Sequence, residues 1–116
     1  MKHFFIILIF TFCLNKIVNS TSLVSHDWVN KNACKDNVVL IEVGKTKNSY
    51  EVEHINCSLY TNYYKNGWRE SIKNRTMVLP LASKLKEIVE NLGINNSDHV
   101  VLYPKKNDVF SMAETT

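Results

Sequence analysis

Three observations make the sequence predict an α/β fold, a parallel sheet flanked by helices. Residues 37–43, NVVLIEV, form a near-continuous apolar run rich in β-branched side chains, which suits a strand buried on both faces. Residues 80–93, PLASKLKEIVENLG, carry Leu81, Leu85, Ile88, Val89 and Leu92 at helical spacing, with Gly93 where a left-handed C-cap belongs. Residues 99–103, HVVLY, repeat the strand signal directly after that helix. Strands alternating with helices imply crossover connections and therefore parallel pairing.

The remaining elements follow in chain order. SLVS, residues 22–25, reads as a short strand-like piece, and Ser25 is placed to cap a helix through HDWVNKNAC. GKTKNS, residues 44–49, reads as a loop, and HINCSLY, residues 54–60, as a second and less apolar strand. TNYYKNGWRESIKNRT, residues 61–76, is a polar, aromatic-rich connection with no clear period. DVFSMAETT, residues 108–116, begins a further helix, so the α/β pattern is expected to be incomplete at its C-terminus.

With 116 residues, 45% of them hydrophobic, the chain is sized for one domain. A formal charge of +3 and the lack of a basic stripe with interleaved aromatics argue against nucleic acid as a partner. The first twenty residues differ in kind. Lys2 is followed by an apolar run from Phe4 to Leu14 and then a polar stretch. That run is short for a bilayer core of about 30 Å, so residues 1–20 read as a cleaved secretory signal, with an uncleaved anchor as the alternative. Val18 and Ser20 fit the small positions before a cleavage site, which makes Thr21 the expected mature N-terminus. The membrane enters only through this segment. Its removal takes Lys2, Lys16 and no acid, lowering the charge from +3 to +1. The mature domain is then residues 21–116, in a periplasmic or secreted location.

Cys13 goes with the leader, leaving Cys34 and Cys57. Export permits a disulfide, but two cysteines are not a framework, and two small buried hydrophobes are the favoured reading. The triplets Asn56-Cys57-Ser58, Asn74-Arg75-Thr76 and Asn95-Asn96-Ser97 fit the N-glycosylation acceptor pattern, which matters only in a eukaryotic secretory pathway.

Taken in order, these segments resemble a known family. SLVSHDWVNKN is similar to the opening of a rhodanese-like (thiosulfate sulfurtransferase) domain, and VVLIEV to the strand after it. YEVEHINCSLYTNYY resembles the family's Tyr-x-x-x-His-Ile-Pro-Gly-Ala signature, with Tyr50, His54 and Ile55 kept. NGWRESIKNRTMVL resembles a Trp and Arg segment of tandem members, and LASKLKEIVENLGINNSDHVVLYPKKNDVF the helix, Leu-Gly-Ile turn and strand leading to the active loop. The likeness covers residues 23 to about 113 and points to the N-terminal, non-catalytic domain of tandem-domain members, C-terminally truncated. Two departures matter. Asn56, Cys57 and Ser58 stand where the signature has Pro-Gly-Ala, and the family's last helix and final strands have no counterpart.

The resemblance implies a parallel sheet whose VVLY-like strand is followed by a nucleophilic cysteine in a loop of backbone amides. Such a thiolate takes sulfur from thiosulfate, becomes a persulfide and passes the sulfur on. Here that position is Pro104, which has no thiol, so no catalytic residue is assigned to the loop and the chain alone is expected to be inactive. Cys57 is the weaker nucleophile candidate, since it aligns with a glycine outside the active loop. His54 reads as a structural residue. Lys105, Lys106 and Asn107 could face an anion such as thiosulfate, against the plainer reading of a solvated surface. His26, His54 and His99 lack metal-ligand spacing, and no metal or other cofactor is expected. Trp28, Trp68 and the tyrosines at 60, 63 and 64 read as packing residues. Three functions remain open: part of an exported sulfurtransferase partnered by a second rhodanese-like domain, a cysteine-less binding module, or a decayed gene fragment.

Overall fold

The computed structural model of the chain describes residues 23–116, so the leader expected over residues 1–20 lies outside it. The elements are α1 (His26–Asn32), β1 (Val38–Gly44), α2 (Lys47–Val52), β2 (Leu59–Asn62), β3 (Glu70–Ile72), β4 (Arg75–Val78), α3 (Ala82–Asn91), β5 (His99–Pro104) and α4 (Val109–Ala113). Strands β2, β1 and β5 form a parallel sheet in that order, and β3 and β4 an antiparallel hairpin. The fold is therefore mixed α/β, with a three-stranded parallel sheet flanked by helices.

The central position of β1 follows from its composition. Leu40, Ile41, Glu42 and Val43 are all buried, because β1 has a strand on each side and covered faces. β2 joins it from Ile41↔Leu59 to Gly44↔Asn62, and β5 from Val38↔His99 to Val43↔Pro104. Strand β5 is apolar but much less covered. Val100 and Leu102 are 41% and 46% exposed, and no described strand lies along its other edge.

Helix α1 starts where its cap is placed, with the Trp28 amide donating to Ser25 Oγ at 3.1 Å. Helix α3 occupies its amphipathic segment, and Gly93 closes it with φ +76, a conformation that favours glycine. Its stripe is only half covered, and Leu81 at its start is exposed. Among the described residues no helix is long and apolar enough to cross a membrane.

Four segments differ from the sequence expectation. Of the expected SLVS strand, the described residues 23–25 are not in a strand. The segment expected as the loop GKTKNS instead starts α2, steadied by Lys47 and Glu51 one turn apart at 3.6 Å. Six residues are too few to show a helical period in the sequence. The second strand begins at Leu59 rather than His54, because Ile55–Ser58 makes a turn closed by the Ser58 amide on the Ile55 carbonyl at 3.0 Å. The aperiodic 61–76 connection contains the hairpin β3–β4, held to α3 by Lys84 and Glu70 at 2.8 Å.

The cysteines also correct the expectation of two small buried hydrophobes. Cys34 and Cys57 are both exposed and are joined by a disulfide across a separation of 23 residues. The turn that sets Cys57 before β2 and the turn that ends α1 bring their α-carbons to 5.3 Å. Reduction, or Cys34→Ser, is expected to lower the unfolding free energy by about 3 kcal/mol, the chain-entropy value for a loop of this size. Urea melts with and without a reductant check this, and coincident midpoints would assign the bond no stabilising role.

Candidate functional site

The parallel sheet puts the ends of three strands at one edge, with Pro104, Val43 and Thr61 level and Gly44 beside Asn62. In open α/β sheets this carboxyl edge is where ligands bind. Asn62 is 7% exposed and organises the loop leaving β2. Its Oδ1 accepts from the amides of Tyr64 and Lys65 at 3.0 and 2.9 Å, and its Nδ2 donates to the Lys45 carbonyl at 2.7 Å. A cavity of about 200 Å³ opens at the same edge, lined by Val43, Thr61, Tyr63, Trp68, Arg69 and Leu102 among others. The Trp68 indole N–H is fixed by Thr61 Oγ1 at 2.7 Å.

Strand β5 ends at Pro104, paired with Val43, and the loop after it runs through Lys105, Lys106, Asn107 and Asp108 into α4. Lys105 Nζ turns inward. It donates to the Glu53 carbonyl and lies 3.9 Å from Glu42 Oε2. Lys106 and Asn107 are exposed, with no hydrogen-bond partner recorded for their side chains among the described residues. Asp108 is turned to its own helix and caps α4, accepting from the Ser111 amide at 2.9 Å and the Ser111 hydroxyl at 3.0 Å. Those two donors hold its carboxyl below the ordinary carboxylate value, with the Ser111 amide the larger influence.

Beneath the loop lies a row of polar side chains that the apolar look of VVLIEV conceals. Tyr60, Glu42 and Tyr103 are register partners across the three strands, so they share one face. Glu42 is 1% exposed, and its Oε1 has no hydrogen-bond partner among the described residues. The Tyr103 hydroxyl meets Ser58 Oγ at 2.7 Å and accepts from the Ile55 amide at 3.3 Å. Tyr50 donates its hydroxyl to the Ser58 carbonyl, tying α2 to the same turn. His54 stacks on Tyr50 with ring centroids 4.1 Å apart, and its Nδ1 lies 2.7 Å from the Tyr50 carbonyl.

The disulfide sits elsewhere. Cys57 lies in the turn before β2, at the amino end of that strand, whereas Pro104 is level with Thr61 near its carboxyl end. Oxidised to cystine, it holds no thiolate. Its φ of +63 is left-handed, the conformation a glycine adopts without cost. The structure thus brings Tyr50, His54, Ser58, Tyr103, Glu42 and Lys105 together and keeps both cysteines away from the loop. Glu42 escaped sequence reasoning. The signal available was one carboxylate inside a β-branched run.

No family model matches the chain, and no curated protein and no solved structure matches it.

Burial pushes the Tyr103 hydroxyl up from its ordinary value of 10.0, opposed by the contacts with Ser58 and Ile55, and the Glu42 carboxylate adds to the rise. The folded state therefore holds this proton more tightly than the unfolded chain. That contribution is complete below pH 10 and is lost as the pH climbs above 10 through the raised folded value. Thermal melts of the wild type are expected to fall more steeply above pH 10 than those of Tyr103→Phe. At neutral pH the variant should be about 1–2 kcal/mol less stable, because Ser58 and Ile55 lose their partner. Parallel alkaline slopes would remove Tyr103 as the source.

Proposed function

We propose that the chain is a partial rhodanese-like domain of the thiosulfate sulfurtransferase family, exported and without sulfurtransferase activity of its own. The observation that carries the catalytic part is the separation of the cysteines from the loop. Strand β5 passes directly into the loop at Pro104, while Cys34 and Cys57 are bonded to each other away from it. A persulfide needs a thiolate at the loop mouth, and the loop residues Pro104 to Asp108 include none. The family part is supported by the turn after Ile55. Cys57 stands where the signature has a glycine, and its backbone is left-handed, as a glycine there could be. The disulfide also favours an oxidising compartment, which supports export.

In this reading the natural partner is a second rhodanese-like domain bearing the cysteine, with thiosulfate as the class of substrate for the pair. A second reading, a cysteine-less interaction module, draws support from the exposed apolar residues Val100 and Leu102 on β5. Under it the loop residues Lys106 and Asn107 would contact a partner or an anion without chemistry.

Purified mature chain, mixed with thiosulfate and cyanide, is expected to form thiocyanate no faster than buffer. Pro104→Cys should restore at most feeble turnover, since a thiol alone does not rebuild the walls of the pocket. Robust turnover in the unmodified chain that disappears in Cys57→Ser would overturn the assignment and make Cys57 the nucleophile.

Export carries its own check. Mass spectrometry of protein from the native host should find Thr21 or a near neighbour at the N-terminus. An intact Met1 in a cytoplasmic pool would defeat it.

A further inference from the structure

We propose that Asn74 is an N-glycosylation site, accepting a lipid-linked oligosaccharide when the chain passes through a eukaryotic secretory lumen. The proposal rests on the export reading, and the structure contributes the choice among three acceptor triplets. Asn56 is the poorest. Its Oδ1 accepts from the Cys57 amide at 3.1 Å, and Cys57 is held both by the disulfide and by its left-handed backbone. The required hydroxyl, on Ser58, is 6% exposed and bonded to Tyr103. Asn95 is tied into the turn before β5, its backbone amide donating to Asp98 Oδ2 at 2.7 Å and its Nδ2 pointing to the same carboxylate and to the Gly93 carbonyl.

Asn74 differs on every count. It stands at the tip of the β3–β4 hairpin, directly after Lys73, whose φ of +54 makes the tight turn. Asn74, Arg75 and Thr76 are all exposed, and no hydrogen bond of the Asn74 side chain is recorded among the described residues. Acceptor amide and hydroxyl are both presented to solvent, and the folded hairpin can carry a sugar without moving. The hairpin is anchored at its base, by Glu70 to Lys84 and by Trp68 to Thr61, so its tip is independent of the sheet.

A second feature gives a sugar something to do. Ile72 and Met77 on the hairpin are 47% and 46% exposed, and Leu79 and Leu81 just beyond it are more so. A bulky hydrated chain at the tip would shield this apolar surface from association. In the transfer itself, Asn74 Nδ2 attacks the anomeric carbon of an oligosaccharyl pyrophosphate lipid. The new C–N bond replaces the sugar–phosphate bond, the lipid pyrophosphate departs, and the amide gives up one proton.

The test expresses the full chain in a eukaryotic secretory host, once with its own first twenty residues and once with a leader of proven function in their place. Intact mass and peptide mapping are read before and after a peptide N-glycosidase, which converts a glycosylated asparagine to aspartate. The proven-leader protein should carry one removable oligosaccharide with aspartate appearing at position 74. Asn74→Gln and Thr76→Ala should each abolish it, and Asn95→Gln should leave it in place. A proven-leader protein left bare at Asn74, or modified only at Asn56 or Asn95, overturns the proposal. Should that protein be modified at Asn74 while the native-leader chain stays bare in the cytosol, the acceptor assignment stands and the export reading falls.

Discussion

The pairing of β1 on both sides is the constraint from which the rest of the structure follows. Its parallel partners must be reached by crossovers, so α2 and the turn after it carry the chain from β1 to β2, and the hairpin and α3 carry it to β5. Burial on both faces makes Leu40, Ile41 and Val43 the compact centre of a small core. The same burial forces Glu42 into company it could otherwise avoid, since a carboxylate taken from water needs partners. Tyr60, Tyr103 and Lys105 are the groups arranged around it.

The turn at Ile55–Ser58 converts that sheet into a defined edge. It is hydrogen-bonded in two directions, accepting from Tyr50 of α2 and donating its Ile55 amide to Tyr103 of β5, and is bolted from a third by Cys34. A cysteine in a left-handed backbone is unfavourable in isolation, and the crosslink and the hydrogen bonds around it are what over-determine the conformation. Positioned this way, Cys57 is held in a crosslink to Cys34, and the described residues Pro104–Asp108 carry no thiol.

Much of this layout was legible in the residues. The β1 and β5 strands announced themselves by near-continuous apolar runs, α3 by its stripe and terminal Gly93, and α1 by Ser25. Helix α2 was illegible because six residues span less than two turns, and the contact that ties it to the sheet, Tyr50 reaching Ser58, is not a local pattern. The hairpin was hidden because its turn uses Lys73 in place of the glycine that usually marks one. The disulfide could not be derived from spacing, since pairing depends on two turns arriving together in space. The polar row under the loop was invisible for a similar reason: register, not sequence proximity, assembles Tyr60, Glu42 and Tyr103.

The ring closed by Cys34 and Cys57 encloses the whole of β1 and α2. A protease that cuts the exposed stretch from Lys45 to Asn48 therefore releases nothing, because both halves stay covalently joined and β1 keeps its neighbours. On a gel the nicked molecule would run as an intact chain until a reductant is added. Extracellular fluids, where peptidases are plentiful and thiols scarce, are the setting in which such a clasp prolongs the life of a small domain.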